Sequence, residues 1–448
     1  MSGGKENAGL VRSIGLFALV VYGVGDMVGA GIYGTIGKAA GLLGNAVWIS
    51  FVVSMIAALL TGLSYASLAS RYPRAAGAAY VTQRAYGWKF LSYVVGLAVV
   101  CSGLTSMATG SRVFAENLQP LLAGPFAGVG GAPPLWVIFL AFIGVLTLVN
   151  LRGIRECVWV NMVCTAIEVG GLLFIIAVSV PYFGTVDYLE TPPKAGGLTA
   201  PLILSGAVLT FYAFVGFEDL LNLAEEVKDP RKTMPWGIIL AVGCATIIYV
   251  LVSLAAISVV PYALLADPKN GVPMAQITKT AAPWLPHHVY TGITLFAVAN
   301  TALINFIMGS RLVYGMSRQG LLPQILGAVH PTRHTPYRAI VLLAVVVALL
   351  AFSGGITELA SATSLLLLLV FSLMNASLIV LKLRKGEEKG GFEVPVIVPV
   401  LGCVVCAVLI YSRLIDSAAG GRAPLIAAVI IAGIAALYFV MRPKEVVV

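Results

Sequence analysis

The chain has 448 residues, of which 59% are hydrophobic and 10% charged, and its mean hydropathy is +0.97. A soluble protein of this length cannot hide so much apolar surface, because its exterior must carry polar groups; a disordered chain would lack the abundant Leu, Ile, Val and Phe. The reading is a polytopic membrane protein, so the net charge of +9 is to be sorted by side of the bilayer and implies no nucleic-acid partner.

A helix needs about 20 apolar residues to cross a bilayer. Twelve stretches qualify, at 13–37, 43–68, 90–118, 134–151, 158–183, 202–224, 236–260, 288–316, 338–353, 357–381, 395–414 and 424–441. The ninth is short. Pro73, Pro133, Pro134, Pro192, Pro193, Pro230, Pro235, Pro323 and Pro336 punctuate them. A strand barrel is excluded, since no ten-residue alternation of polar and apolar positions recurs. No cleavable signal is expected ahead of the first span.

With the amino terminus in the cytosol, the outer loops hold six of the 28 basic residues: Lys38, Lys194, Lys269, Lys279, Arg413 and Arg422. Arg112 falls inside the third span, and the remaining 21 are cytosolic. That bias is a positive-inside signal and places both termini in the cytosol. Cys101, Cys157, Cys164, Cys244, Cys403 and Cys406 lie in or beside apolar segments and read as structural thiols, Cys403 and Cys406 included despite their CxxC spacing. The four histidines have no metal spacing. Neither a metal nor an organic cofactor is expected.

The first span carries Gly23, Gly25, Asp26, Gly29, Gly31 and Gly34, and the sixth carries Gly216, Glu218 and Asp219. Glycines with carboxylates in mid-membrane predict two interrupted helices. They open two blocks of five helices, and five is odd, so the second block is inverted. Paired broken helices at corresponding positions point to an inverted-repeat transporter. The expected organisation is a tail at 1–12, repeats at 13–183 and 202–381, two accessory helices at 395–441 and a tail at 442–448.

Gly29 to Gly34 spells GxGxxG, but no strand precedes it, so the dinucleotide reading fails. Backbone N–H groups at the start of a half-helix would still favour an anion, such as a substrate carboxylate. The alternative is a small-residue packing face, for which Gly25 and Gly29 have GxxxG spacing. Asp26 lies about 20 Å along the helix from Ser13, in mid-bilayer. It can bind an ammonium, a proton or a cation, or cap N–H groups freed by the break. Glu168 lies about 15 Å from Val158 and is a candidate proton carrier; otherwise it is a hydrogen bond between helices. Glu218 can receive an amine or tie the two broken helices together. Tyr212, Phe214 and Phe217 flank the second break and can close over a ligand. Asn300, Thr301 and Asn305 can line the cavity or join helices. Glu225 and Glu226 precede a basic cluster and read as a solvated charge run.

Four segments resemble the amino acid–polyamine–organocation transporter superfamily in order and spacing. They are Gly29-Ala30-Gly31-Ile32-Tyr33, Tyr72 to Tyr80, Phe214 to Pro230, and Ser310 to Pro323. The resemblance covers residues 13 to about 385 and implies a five-plus-five inverted repeat with two extra helices. It implies that a substrate carboxylate meets the N–H groups of Gly29, Ala30 and Gly31, and that its ammonium meets carbonyls of Met27, Tyr212 and Val215. Tyr212 falls where related exchangers have a gating aromatic. Glu168 falls where some proton-coupled relatives have lysine, and Asp26 where some have asparagine. Ala30 replaces a serine or threonine. The acidic pocket tilts the substrate towards an amine-bearing or cationic solute.

The expected protein is an all-α amino acid permease of the cytoplasmic membrane. It would be a secondary active transporter working by alternating access through symport or antiport, with a proton as the coupling ion. Its partners would be a small amino acid and the lipid bilayer, with no obligate protein partner. Rival readings are a polyamine or organic-amine carrier and a non-transporting substrate sensor, the latter disfavoured by short tails. A membrane enzyme is disfavoured because no HExxH motif appears. Gly31→Leu is expected to abolish substrate binding while leaving folding largely intact.

Overall fold

In lipid an apolar segment must satisfy its backbone polar groups internally, which leaves the helix as the form for isolated runs of about 20 residues. The computed structural model describes residues 10–75, 77–123, 131–267, 272–352, 356–415, 423–441 and 443. Its first half holds α1 (Leu16–Leu43), α2 (Val47–Arg71), the short α3 (Gly77–Tyr86), α4 (Lys89–Ala123), α5 (Leu135–Arg152) and α6 (Ile154–Ser179). Next come α7 (Ala200–Phe211), α8 (Pro230–Val259), the short α9 (Tyr262–Ala266) and α10 (Pro273–Ala281), and α11 (His287–Arg318). The chain closes with α12 (Tyr337–Phe352), α13 (Ile356–Leu383), α14 (Ile397–Ile415) and α15 (Ala423–Met441).

Among the described residues, ten stretches are long and apolar enough to cross a bilayer. The shorter apolar helices Tyr337–Phe352 and Ile397–Ser412 coincide with the ninth and eleventh expected spans. The protein is therefore an all-helical, multi-pass membrane protein. The helices α3, α9 and α10 fall in stretches read as connections between spans.

The two glycine-bearing spans differ. The sixth is interrupted: α7 ends at Phe211, a tight turn runs over Tyr212–Phe214, and a second tight helix over Phe217–Leu223. Between them Val215 is extended and Gly216 has φ 134°, a conformation that a side chain would strain. The freed Gly216 N–H donates to Glu218 Oε2 at 2.8 Å.

The first span, expected to be broken, is helical without interruption from Leu16 to Leu43. Its glycines serve close packing instead. A Cβ on Gly25 would overlap the Thr165 hydroxyl and the Asn300 amide, and one on Gly29 would overlap the Thr301 hydroxyl. Small residues let helix backbones approach in a membrane, and this packing accounts for the run.

α1 is surrounded by α6, α7, α8 and α11, while α2 lies along α8 and α4 along α11 and α13. α14 and α15 pack on α13. At one end the segment before α1 pairs with the segment after the sixth span. Ser13 N and Ile14 N donate to Glu226 O at 2.8 and 3.0 Å, and Lys228 N donates to Ile14 O at 2.8 Å. The α13–α14 connection is clamped nearby. Arg71 grips Glu393 through two bonds of 2.7 Å, and Glu387 accepts from Tyr72 Oη at 2.7 Å and Arg84 Nε at 2.8 Å.

Candidate substrate site

A cavity of about 350 Å³ opens where the interruption after α7 faces α1. α1 contributes Asp26, Met27 and Gly31, and the interruption contributes Tyr212, Val215, Gly216, Glu218 and Asp219. The opposite walls carry hydroxyls and one amide: Ser102, Ser106 and Thr109 from α4, Thr301 and Asn305 from α11, and Thr363 and Ser364 from α13. Among the described residues that line it there is no Lys, Arg or His.

The residues Asp26, Glu218 and Asp219 are 5–6% exposed. Asp26 and Asp219 both line the cavity, and Asp26 Oδ2 is buried without a hydrogen-bond partner. Gly216 lets the two strands of the site meet, since a Cβ there would stand 3.0 Å from Asp26 Cγ. Glu218 accepts from the Gly216 N–H two residues away, a bond inside the interruption and not one between the two glycine-bearing spans.

The expected site residues separate into two groups. Asp26, Met27, Gly31, Tyr212, Val215 and Glu218 line the cavity. Gly29 faces Thr301 on α11, and Phe214 is fully buried with its ring 5.1 Å from that of Tyr249. The Ala30 side chain lies outside the described residues. The backbone N–H groups of Gly29, Ala30 and Gly31 sit inside the continuous α1, where helical hydrogen bonds engage them. Gly31 abuts backbone: a Cβ would lie 2.7 Å from Ala213 Cα. Gly31→Leu would therefore drive α1 off the interruption, which corrects the expectation that folding survives it.

Two residues hold the site together that composition and motif did not single out. Tyr249 on α8 directs its hydroxyl at the carbonyls of Met27 and Ala213, each at 2.6 Å. The Met27 carbonyl, an expected ammonium ligand, is thus already engaged. A lone tyrosine in an apolar span carries no signal beyond its depth. Arg311, counted with the loop charges, lies within α11 and is fully buried. Its Nε bonds Glu226 Oε2 at 3.1 Å and its Nη1 bonds Asn150 Oδ1 at 2.7 Å. Glu226 is 0% exposed, so its half of the Glu225–Glu226 pair is not solvated as expected: the Arg311 guanidinium compensates the burial of its charge.

Glu168 lies behind the cavity wall, in a polar seam joining α1, α6 and α11. Asn300 Nδ2 reaches Thr165 Oγ1 at 2.9 Å and Glu168 Oε2 at a long 3.5 Å, and Asn161 Nδ2 donates to Asn300 Oδ1 at 2.8 Å. Glu168 Oε1 has no partner. Among the described residues no cluster of His, Cys, Asp and Glu suits a metal ion.

A bundle of membrane-spanning helices, one interrupted in mid-span over a polar cavity, defines the class: a transporter of small molecules. The chain belongs to the amino acid permease family, whose model matches residues 14–437. It is 31% identical over 421 residues to an uncharacterized transporter of Mycobacterium tuberculosis (strain H37Rv), covering 93% of this chain and 89% of that one. It is 30% identical over 416 residues to the branched-chain amino acid permease of Bacillus subtilis, covering 90% and 88%. It is 29% identical over 428 residues to the methylthioribose transporter of the same organism, covering 92% and 90%. These relatives are transporters, and the chain is a transporter and not an enzyme.

Proposed function

We propose that the protein carries amino acids across the cytoplasmic membrane by alternating access, with both termini in the cytosol, and that proton symport or exchange drives it. The observation that carries this reading is the cavity between α1 and the interruption at Val215-Gly216, which pairs buried carboxylates with hydroxyl walls. An α-ammonium would lie against Asp26 and the Val215 region. A substrate carboxylate would use the N–H groups of Gly29, Ala30 and Gly31 only if α1 opens along its glycine run, so opening of α1 is part of the proposed cycle. The strap at 13–14 with 226–228 and the Arg311–Glu226 pair would close the cytosolic end in this state.

Glu168 is the proposed proton carrier, because one of its oxygens is buried without a partner beside the polar seam. Purified protein in proteoliposomes tests both points. Counterflow of an amino acid is expected. Glu168→Gln is expected to keep exchange and to lose accumulation driven by a pH gradient; persistent accumulation would make Glu168 structural. The acidic lining without a basic residue favours a second reading, an organic-amine carrier. A flux screen therefore includes diamines, and methylthioribose as well, since that is the named cargo of one relative.

A further inference from the structure

A second cavity, of about 330 Å³, opens where α1 and α6 begin, beside the strap that joins 13–14 to 226–228. Three cations from three parts of the chain line it: Arg12 ahead of α1, Arg155 in the first turn of α6 and Lys228 beyond the sixth span. Among the described residues that line it there is no Asp or Glu. The acids next to these cations in sequence turn elsewhere. Glu156 Oε2 lies back over Gly153, and Asp229 lines a neighbouring cavity that Arg12 also borders. The described ion pairs within 4.0 Å all use other cations. Like charges gathered at one site repel, and an anion relieves that repulsion. Ser13 Oγ, also in the lining, is buried with no hydrogen-bond partner and can donate to an oxygen of that anion.

We propose that this cavity binds the phosphate of one anionic phospholipid, held by Arg12, Arg155, Lys228 and the Ser13 hydroxyl, with the acyl chains passing along α6. The site lies apart from the substrate cavity and stands whatever that cavity carries. Its other walls favour a lipid over a soluble phosphate. Trp159, one turn beyond Arg155 on α6, lines the cavity and is 67% exposed, and Met162 follows it. Leu16 and Phe17, which open α1, are exposed as well. Both helices are long and apolar enough to cross a bilayer. Exposed tryptophan and apolar side chains one turn inside a group of cations mark the headgroup level of a membrane, and a basic pocket between spanning helices suits an anionic headgroup.

The strap holds the site in shape. Ile14 and Val227 bridge each other and are buried, which keeps Arg12 and Ser13 beside Lys228. Arg155 comes from a different element, α6. A bound phosphate would therefore link α6 to the strap, and a lipid that binds only this folded arrangement stabilises it by mass action.

The test uses the full chain, delipidated in a neutral detergent at pH 7. It is titrated with dioctanoyl phosphatidylglycerol, dioctanoyl phosphatidylcholine and glycerol 3-phosphate, and the unfolding midpoint gives an apparent affinity for each. Phosphatidylglycerol is expected to raise the midpoint saturably, and phosphatidylcholine, whose choline cancels the phosphate charge, to raise it less. Replacing the three cations together, Arg12→Gln, Arg155→Gln and Lys228→Gln, is expected to weaken phosphatidylglycerol at least about tenfold. A control with the same loss of charge at exposed positions outside the cavity, Arg333→Gln, Lys385→Gln and Lys389→Gln, is expected to bind as the wild type does. Equal weakening in the two triple variants, or none in the first, overturns the site. Glycerol 3-phosphate binding as tightly as phosphatidylglycerol overturns the lipid as occupant. The comparison within the wild type stands even if a variant folds poorly: equal response to the two phospholipids, or no response to either, overturns the proposal.

Discussion

Replacing Glu226 by alanine strands the Arg311 guanidinium in the interior. Arg311 is fully buried, and Glu226 is the carboxylate paired with it among the described residues. Asn150 Oδ1 at 2.7 Å and Ser310 Oγ at 2.9 Å remain as partners, but both are neutral. Nη2 already lacks a partner, so little reserve of hydrogen bonding exists. Breaking a buried pair from one side costs about 3–5 kcal/mol, because the surviving charge is left uncompensated. Burial is complete, so solvent screening does not reduce that figure. Replacing both partners by apolar residues, Glu226→Leu with Arg311→Met, removes both desolvation terms and is expected to recover most of the loss. The assay is reversible detergent–SDS unfolding of the wild type, the single variants and the double variant, read as a cycle. A cost for Glu226→Ala below about 1 kcal/mol, the surface value, would refute the reasoning. So would an equal cost in the Arg311→Met background, since the two residues would then be uncoupled.

Tyr249→Phe leaves the Met27 and Ala213 carbonyls without the hydroxyl that joins them, and is expected to cost about 1–3 kcal/mol, seen as a lowered unfolding midpoint in the same assay. Gly216→Ala combines positive φ with a Cβ 3.0 Å from Asp26 Cγ; about 1–3 kcal/mol of strain and loss of ligand binding in calorimetry are expected. Outside the spans, burial would raise the Glu393 carboxyl, but hydrogen bonds from Arg71, Lys382 and the Gly390 N–H outweigh it and lower it from 4.5 to about 2. A depressed carboxyl stabilises above its unfolded value, so the α13–α14 clamp should hold from neutral pH down to 4.5 and loosen as pH falls towards 2. Hydrogen exchange of residues 384–394, corrected for intrinsic rates, measures this, and Glu393→Gln should show the loosened state at neutral pH.

The spans were legible because lipid imposes a length and an apolar composition on each crossing segment separately. The interruption at Gly216 was legible for a related reason: a glycine followed by two carboxyls has no use on a lipid-facing helix. Asp26 was singled out by its depth and Glu218 by the break it follows, and both line the cavity. The glycine run of α1 was not decidable in the same way. A broken helix and a closely packed helix ask for the same residues, and only Thr165, Asn300, Thr301 and Ala213, brought in from other helices, show that packing accounts for it.

Long-range polar pairs were beyond the sequence for a physical reason. Arg311 near a loop and Glu226 in a charged run each look solvated, and their burial exists only because the fold brings them within 3.1 Å. The hydroxyls of Ser102, Ser106 and Thr109 resemble the serines and threonines of any span until α4 is set across from α1. Hydrophobic transfer acts on each segment by itself, so sequence alone determined which segments enter the membrane. Hydrogen bonds and ion pairs act over about 3 Å between side chains from different helices, so the reach of Tyr249 to two carbonyls and of Arg311 to Glu226 was decided only by how the helices pack.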